Sequence, residues 1–344
     1  MKTNEPILIT GGAGFIGSCF VGQCVARGLQ VVVLDKLTYA GSKKNLEWIE
    51  GPGAYELVEG DIADSTLLAR LFAKHSFTKV VNFAAESHVD NSISGPGAFI
   101  ETNITGLFVL LEATRAYWAK LPQAQKKAFR FLQISTDEVY GSLGPEGKFS
   151  EASPIRPNSP YSASKAAGDH LARAWFETYG LPTIVTHCTN NYGPRQHPEK
   201  LIPRMISCAL SGQGLPIYGD GKNVRDWVHV EDHCYGVWLA LEKGAPGGVY
   251  DLGGDAEAEN IWLVREICRL LDTKRPKAKG SYADQITFVE DRLGHDRRYA
   301  IDDSKAVEQL GFMRQYELAD GLEATVDWYL ENEAWCRHIM ERAA

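Results

Sequence analysis

The stretch ILITGGAGFIG, residues 7–17, places Gly11, Gly14 and Gly17 at the turn from an apolar strand pattern into a helical pattern. Side chains at these positions would hold the backbone away from a pyrophosphate, whose charge binds the N–H groups at the start of a helix. About twenty residues further on, the apolar run VVVLD ends at Asp35, a carboxylate that can accept hydrogen bonds from adenosine ribose hydroxyls. The glycines alone also fit an ordinary turn, but the combined pattern predicts a dinucleotide-binding βαβ unit.

Asp35 also bears on the choice of cofactor. A carboxylate at this position repels the 2′-phosphate of NADP, so the sequence predicts NAD. Lys36 follows directly and could pair with such a phosphate, which leaves NADP as the alternative.

The composition is that of an ordinary globular protein. Apolar residues make up 44% and charged residues 23% of the 344 residues, and the formal net charge is −8. This charge gives no general attraction to nucleic acid or to an anionic membrane, so we expect neither as a partner. The seven cysteines show no Cys-x-x-Cys spacing and the amino terminus shows no signal-peptide pattern. Both observations favour a reducing cytoplasm, and no metal site is predicted.

Short β-branched runs alternate with longer amphipathic segments through the first half of the chain, which is the pattern of repeated βαβ units. Right-handed crossovers place the helices on both faces of a parallel sheet. The sequence therefore predicts an α/β fold with a doubly wound parallel-sheet (Rossmann) domain. Its predicted strands lie near residues 6–10, 31–35, 55–59, 79–84, 130–135 and 182–188, and its predicted helices near 15–27, 65–74, 98–119 and 161–179.

Beyond about residue 190 the alternation gives way to segments interrupted by Gly and Pro, which predicts a smaller mixed α/β domain. We assign residues 1–190, with a returning segment at about 228–256, to the NAD-binding domain. Residues 191–227 and 257–344 are assigned to the substrate domain.

Tyr161 and Lys165 lie one helical turn apart in YSASK at the start of a predicted helix, so their side chains share a face. An ammonium close to a phenol lowers the pKa of the phenol, which lets tyrosine act as a base near neutral pH. A solvated or packing pair is the alternative for these two residues alone.

Three consecutive polar residues follow a predicted strand in QISTDEVYG, residues 133–141. Thr136, Asp137 and Glu138 stand at the carboxyl edge of the sheet, where ligands of such folds bind. Asp after a strand often caps a turn, and Glu can be solvated there. At a ligand-binding edge, however, the two carboxyl groups also suit an acid and a base.

These motifs carry a family resemblance that covers essentially the whole chain. The sequence resembles the dTDP-glucose 4,6-dehydratases, a family of extended short-chain dehydrogenase/reductases. The segments that carry the resemblance are TGGAGFIGS, VLDKLTYAG, GDI at 60–62, FAAESHVD at 83–90, STDEVYG, NSPYSASKA, NNYGP at 190–194, PEKLIP at 198–203, PIYG at 216–219, RDW at 225–227 and GHDRRYAID at 294–302.

The resemblance implies a lyase that converts dTDP-glucose to dTDP-4-keto-6-deoxy-glucose and water with resident NAD. Tyr161, assisted by Lys165 and Thr136, would take the proton of the C4 hydroxyl. Glu138 would then remove the C5 proton, and a protonated Asp137 would donate to the departing C6 hydroxyl. The family also implies a homodimer packed through the helices predicted near residues 98–119 and 161–179.

The resemblance further implies two sets of binding residues. NAD would lie against Gly11, Gly14, Phe15, Ile16, Gly17, Asp35, Lys36, Thr38, Asp61, Ile62, Ala84, Ala85, Thr102, Tyr161, Lys165 and Asn191. The nucleotide sugar would lie against Ser87, Thr136, Asn190, Lys200, Leu201, Pro216, Ile217, Tyr218, Arg225, Asn260, Arg292 and His295. Lys200, Arg225 and Arg292 would supply the local positive charge that a diphosphate needs, although a surface salt bridge is the alternative for each alone.

Two positions depart from the family pattern. Asn91 stands where Arg usually follows HVD, and Leu293 stands where a Pro is common in the Arg-x-Gly-His turn. Both bear on the conformation of the local loop, and Leu293 also bears on how tightly the nucleotide is held.

Three other functions remain open. A dehydratase for UDP- or CDP-glucose and a 4-epimerase are the alternative enzymes, and a non-catalytic NAD-binding regulator is an alternative of another class. Epimerase relatives carry small neutral residues where this chain has Asp137 and Glu138. An acid and a base beside Tyr161 and Lys165 also have no use in a binding module.

Overall fold

The computed structural model describes residues 6–51 and 54–343. Its strands are β1 (Ile7–Thr10), β2 (Val31–Asp35), β3 (Tyr55–Glu59), β4 (Lys79–Asn82), β5 (Arg130–Ile134), β6 (Thr183–Cys188), β7 (Asn190–Tyr192), β8 (Leu215–Tyr218), β9 (Val224–His229), β10 (Val249–Leu252), β11 (Glu257–Glu259) and β12 (Ile286–Val289). Its α-helices are α1 (Phe15–Ala26), α2 (Ser65–Lys74), α3 (Val89–Ser94), α4 (Gly97–Ile100), α5 (Leu107–Trp118), α6 (Gln123–Ala128), α7 (Pro160–Tyr179), α8 (Leu201–Leu210), α9 (Val230–Lys243), α10 (Asn260–Lys274), α11 (Ser304–Leu310), α12 (Leu318–Glu331) and α13 (Glu333–Ala343).

Seven strands form one sheet in the order β10-β6-β5-β4-β1-β2-β3. Every neighbouring pair in it is parallel. Every residue of β1, β2 and β6 is buried, as expected for strands that are covered by helices on both faces. The predicted doubly wound parallel sheet is confirmed.

The six predicted strands all belong to this sheet and differ from the observed ones only at their ends. The largest difference is at β4, which ends at Asn82, so that residues 83–88 leave the sheet and line its carboxyl edge. The seventh strand, β10, comes from the returning segment and pairs with β6.

The predicted helix 98–119 is not one continuous α-helix. It consists of α4, a π-helical turn at Glu101–Gly106, and α5. The Asn103 side chain in this turn pairs with both backbone polar groups of Glu86, at 2.9 and 3.0 Å, and donates to Ser164 Oγ at 2.8 Å. A π turn re-aims the residues within a helix, and here it lets Asn103 fix the loop after β4.

Helix α11 packs on the core of the large sheet. Ala306, Leu310 and Phe312 lie in one apolar cluster with residues of β1, β2 and α9. The sequence groups this segment with the substrate domain, because its chain position follows residue 257. Side-chain packing instead places it beside α9 and β10.

The second structural unit has its own apolar core. It contains the sheet β11-β9-β7, the pair β12-β8, and helices α8, α10 and α12. Two of its connections to the large-sheet unit are short: Thr189 alone separates β6 from β7, and β9 runs directly into α9. None of the helices in the described ranges has the length and apolarity needed to span a bilayer.

Helix α13 closes back onto the loop that follows β2. Trp335 Nε1 donates to Asn45 Oδ1 at 3.2 Å, and Arg342 donates to the carbonyls of Gly41 at 3.1 Å and Leu37 at 3.3 Å. The end of the described chain therefore supports a loop of the large-sheet unit.

Candidate active site

The turn after β1 forms a cradle that fits a dinucleotide. Gly11 has φ +67°, and a Cβ there would lie 2.5 Å from the Ala84 nitrogen, while a Cβ at Gly17 would lie 2.2 Å from the Gly11 oxygen. Among the described residues no side chain caps the first turn of α1, whose N-cap is Gly14. The backbone N–H groups there can therefore bind an anion, and the residues present fit the predicted pyrophosphate.

Asp35 is buried at the end of β2 and is held in one orientation. Its Oδ2 accepts from the Ala13 N–H and its Oδ1 from the Leu37 N–H, each at 2.8 Å. Burial raises the pKa of Asp35, and these two hydrogen bonds oppose the rise. Lys36 forms an ion pair of 2.7 Å with Asp61, so its charge already has a partner and a 2′-phosphate would have to compete for it.

A cavity of about 310 Å³ runs along the carboxyl edge of the large sheet. Every residue predicted to contact NAD lines it, from Gly11 after β1 to Asn191 in β7. Residues that the sequence does not single out also line it, and they include Glu86, Cys188, Thr189, Gln196, His197 and Glu199.

A second cavity of about 200 Å³ lies in the substrate unit. All the residues predicted to contact the nucleotide sugar line it except Thr136, which lines the first cavity. The two cavities share a wall made of Ser87, Glu138, Asn190, Glu199 and Lys200. Further lining residues that the sequence does not single out are His88, Asp90, Arg204, Trp227 and Tyr299.

The second cavity is cationic. The Arg225 guanidinium donates to the Asp296 carbonyl at 2.9 Å and stacks 4.4 Å from the Tyr299 ring centroid. Lys200 Nζ donates to the Ser87 carbonyl at 2.9 Å and lies 4.0 Å from Glu199 Oε1, whereas the hydrogen bonds of Arg225 go to backbone carbonyls. Positive charge held by neutral acceptors can bind a diphosphate.

Three polar atoms of residues that line this cavity lack partners within the described ranges, and one of them is Trp227 Nε1. Asn260 Oδ1 and Arg292 Nε are buried and make no hydrogen bond to the described residues. Arg292 Nη1 lies 3.4 Å from Asp90 Oδ1, and Tyr218 donates to the other oxygen of Asp90 at 3.3 Å. Unsatisfied buried polar atoms in a ligand-sized cavity are typical of a binding site.

The predicted acid–base segment forms a 3₁₀ turn, Asp137–Tyr140, directly after β5. The Thr136 hydroxyl caps it by accepting from the Glu138 N–H at 3.3 Å, and donates to Asp137 Oδ1 at 3.3 Å. Glu138 lines both cavities. Asp137 lines neither and is only 2% exposed, so its predicted donation to the sugar stays a prediction and requires the side chain to turn.

The environments of these two carboxyl groups differ. Burial, Glu138 and Asp226 raise the pKa of Asp137 well above its usual value. Burial also raises the pKa of Glu138, but the charges of Arg292, Arg225 and Lys200 oppose that rise. Asp137 Oδ2 has no hydrogen-bond partner in the described part of the chain. The stronger rise at Asp137 favours this group as the acid, and the cations around Glu138 favour that group as the base.

Tyr161 and Lys165 both line the first cavity at the start of α7. Burial and the charge of Glu138 raise the pKa of Tyr161 well above its usual value, and the Thr136 hydroxyl opposes this rise; the lowering expected from Lys165 stays a prediction. Lys165 donates instead to the Ile134 carbonyl at 2.6 Å, and burial lowers its pKa. Its ammonium is therefore fixed to the end of β5.

The two departures from the family pattern lie outside both cavities. Leu293 is 79% exposed on the loop between Arg292 and His295. Asn91 is exposed in α3, where its N–H donates to His88 Nδ1 at 3.4 Å. Within residues 6–51 and 54–343 no group of three or more His, Cys, Asp or Glu is arranged to hold a metal ion.

Comparisons with known proteins show the family of the chain. The family model described as GDP-mannose 4,6 dehydratase matches residues 8–325. A dTDP-glucose 4,6-dehydratase of Xanthomonas campestris pv. campestris is 55% identical over 335 residues, which cover 97% of this chain and 95% of that protein. The corresponding figures for dTDP-glucose 4,6-dehydratase 1 of Escherichia coli K12 are 50% over 347 residues, 98% and 96%.

Solved structures give the same picture. The crystal structure of DesIV, a dTDP-glucose 4,6-dehydratase from Streptomyces venezuelae with NAD and TYD bound, superposes with a TM-score of 0.88 at 45% identity and covers 97% of this chain and 100% of that chain. A UDP-glucose 4-epimerase from Thermus thermophilus in complex with NAD has a TM-score of 0.82 at 30% identity, with coverages of 95% and 100%.

Proposed function

The chain belongs to the GDP-mannose 4,6-dehydratase family and, within it, to the dTDP-glucose 4,6-dehydratases, and we propose that it converts dTDP-glucose to dTDP-4-keto-6-deoxy-glucose and water. The observation that carries the proposal is the position of Glu138. This carboxylate lines both the predicted cofactor cavity and the cationic cavity. A base at that junction can act on a sugar whose diphosphate lies in one cavity and whose C4 reaches into the other.

The first step is oxidation at C4, because the C5 proton becomes acidic only beside a C4 ketone. Tyr161 takes the proton of the C4 hydroxyl, and Thr136 supports the ionised phenol, since its hydroxyl lowers the pKa of Tyr161. NAD would be held by the residues that line the first cavity, where its oxidised form would accept the C4 hydride and supply a positively charged ring, and its reduced form would return the hydride to C6 while a proton is restored to C5.

The second step is elimination of water across C5 and C6. Glu138 removes the C5 proton, and protonated Asp137 donates to the departing C6 hydroxyl. Because Asp137 does not line either cavity, this donation requires its side chain to turn toward the sugar. Burial raises the pKa of both Asp137 and Glu138, but nearby cations oppose the rise most strongly at Glu138. This difference supports Asp137 as the acid and Glu138 as the base.

An epimerase is the second enzyme that this fold supports, as the UDP-glucose 4-epimerase comparison illustrates. An epimerase oxidises and reduces the same carbon and does not need to remove the C5 proton. The 3₁₀ turn here instead places a carboxylate at the cavity junction beside a buried carboxyl group. The acid and the base favour the dehydratase.

Isotope transfer tests the reaction as a whole. With dTDP-glucose deuterated at C4 in ordinary water, we expect deuterium at C6 and a solvent hydrogen at C5 of the product, with no stoichiometric release of NADH. Mass spectrometry and NMR of the product measure both positions. Label retained at C4 would point to an epimerase, and label accumulating in free NADH would point to a simple dehydrogenase.

We expect dTDP-glucose to be preferred over UDP-glucose by at least about tenfold in kcat/KM, or about 1.4 kcal/mol. The second cavity offers the apolar surfaces of Leu201, Pro216 and Ile217, which suit the thymine methyl group. Initial rates with dTDP-, UDP-, CDP- and GDP-glucose measure the preference. Equal or faster turnover of UDP-glucose would show that another nucleotide is the substrate.

We also propose a homodimer packed through α5 and α7. Phe108 and Tyr179 on these helices are about half exposed, and Ile100 in the adjoining α4 is similarly exposed. We expect a second copy of the chain to cover these side chains, and sedimentation equilibrium of the purified protein measures the mass of the assembly.

Seven cysteines, all of them free thiols, support a reducing compartment such as the cytoplasm.

A further inference from the structure

A buried polar network behind the catalytic turn takes no part in the chemistry described above. His187 in β6 lies between two carboxylates, with Nε2 3.2 Å from Asp169 Oδ2 and Nδ1 2.9 Å from Asp251 Oδ1. The Tyr140 hydroxyl donates to Asp251 Oδ1 at 2.9 Å and lies 2.8 Å from His187 Nδ1. Ser135 Oγ donates to Asp169 Oδ2 at 2.8 Å. All five residues are buried.

The network joins the elements that carry the catalytic groups. Ser135 directly precedes Thr136 at the end of β5, and Asp169 lies one helical turn after Lys165 in α7. Tyr140 ends the 3₁₀ turn that holds the acid and the base. Two strands of the large sheet, β6 and β10, supply the remaining members.

The charges of the network depend on His187. Burial alone would lower the pKa of this imidazole, but the hydrogen bonds and charges of Asp169 and Asp251 outweigh burial and raise it to about 10. One imidazolium therefore lies between two carboxylates. Asp169 Oδ1 and Asp251 Oδ2 are buried without a hydrogen-bond partner in the described ranges, so after loss of the cation the hydroxyls of Ser135 and Tyr140 would be left to donate to these carboxylates.

The charge of the network acts on the catalytic residue Lys165. The charge of Asp169 raises the pKa of Lys165, against the larger effect of burial. Cys188 follows His187, faces both Lys165 and Tyr161, and has a pKa raised by burial to about 12, so it stays neutral.

The far side of the network is also bounded by charged groups. There Glu151 accepts from the Asp251 N–H at 3.0 Å. Lys305, which donates to the Val249 carbonyl at 2.6 Å, partly offsets the charge of Glu151.

We propose that the Asp169–His187–Asp251 network, with Tyr140 and Ser135, positions the catalytic groups. Its hydrogen bonds hold the acid–base turn against α7, and its fixed charge sets the potential at the Tyr161–Lys165 pair. The network residues touch no reacting atom and act through the residues they hold. The proposal rests on the proposed dehydratase function and extends it.

The decisive comparison is between His187→Asn and the double variant His187→Asn/Asp251→Asn. The single variant removes the cation and leaves both carboxylates. The double variant removes one charge of each sign and keeps the net charge. Single-turnover formation of NADH from dTDP-glucose, followed by absorbance across pH, measures C4 oxidation in both.

For His187→Asn we expect oxidation to slow about tenfold or more, because small displacements of catalytic groups are costly, with little change in KM. The more negative surroundings disfavour ionisation of Tyr161, so the acid limb of the pH profile should move about half a unit or more to higher pH. In the double variant the acid limb should return to the wild-type position. A network that merely stabilises the fold would lower the Tm of both variants and leave the acid limb in place.

Tyr140→Phe keeps the proposal testable if His187→Asn does not fold. It removes only the hydroxyl that ties the acid–base turn to Asp251, and we expect elimination to slow more than oxidation. Unchanged rates and pH profiles in the variants that fold would overturn the proposal. Failure of the wild-type chain to turn over dTDP-glucose would instead overturn the proposed function, so the two failures are distinguishable.

Discussion

Glu138→Gln is expected to lower release of the 4-keto-6-deoxy product by about 10²–10⁴-fold, the usual contribution of a general base, while C4 oxidation persists. Glutamine keeps the size of the side chain but cannot accept the C5 proton. Quenched single turnovers, with the oxidised sugar and the final product separated by chromatography, measure the two steps independently.

The same variant carries a second signature in its pH dependence. The negative charge of Glu138 raises the pKa of Tyr161, and the variant removes that charge. The acid limb of C4 oxidation should therefore move to lower pH. Glu86→Gln is the matched control, because Glu86 lines only the cofactor cavity, and it should keep the wild-type ratio of elimination to oxidation. Near wild-type product release by Glu138→Gln would show that another group removes the C5 proton.

Tyr161→Phe should lower the rate of C4 oxidation by about 10²–10⁴-fold, because no phenol remains to take the hydroxyl proton. Every later step depends on the C4 ketone, so product formation should fall equally. Stopped-flow absorbance of NADH measures the oxidation, and equilibrium binding of dTDP-glucose should change little.

Tyr282→Phe is the control for this loss of a buried phenol. Tyr282 is also buried, and its hydroxyl donates to the Arg275 carbonyl at 2.9 Å within the second unit. We expect wild-type oxidation from it. Comparable oxidation by Tyr161→Phe and the wild type would remove Tyr161 from the catalytic role.

The large sheet is predictable from sequence because its strands are buried on both faces and appear as apolar runs between amphipathic segments. The same logic cannot locate α11, whose place beside α9 depends on which apolar faces meet. It also cannot detect the π turn at Glu101–Gly106, since a change of helical period over one turn leaves no pattern of its own.

Binding residues are predictable where a backbone requirement or a family motif specifies them, as at Gly11 and Gly17. The orientation of Asp137 is not, because consecutive residues in a 3₁₀ turn face different directions and sequence order does not say which one is exposed. Nor does the spacing of Tyr161 and Lys165 reveal that Lys165 binds the Ile134 carbonyl. That contact depends on how closely α7 approaches β5.

The short connections between the two units have a consequence for cofactor exchange. Two domains that are joined by one flexible linker can move far apart. Here, by contrast, Thr189 alone separates β6 from β7, and β9 runs directly into α9. Such short connections restrict how far the two units can separate. We therefore expect a dinucleotide that lies under the loop supported by Arg342 to dissociate with difficulty. The expected slow exit of the cofactor suits a reaction that regenerates NAD⁺ in every turnover.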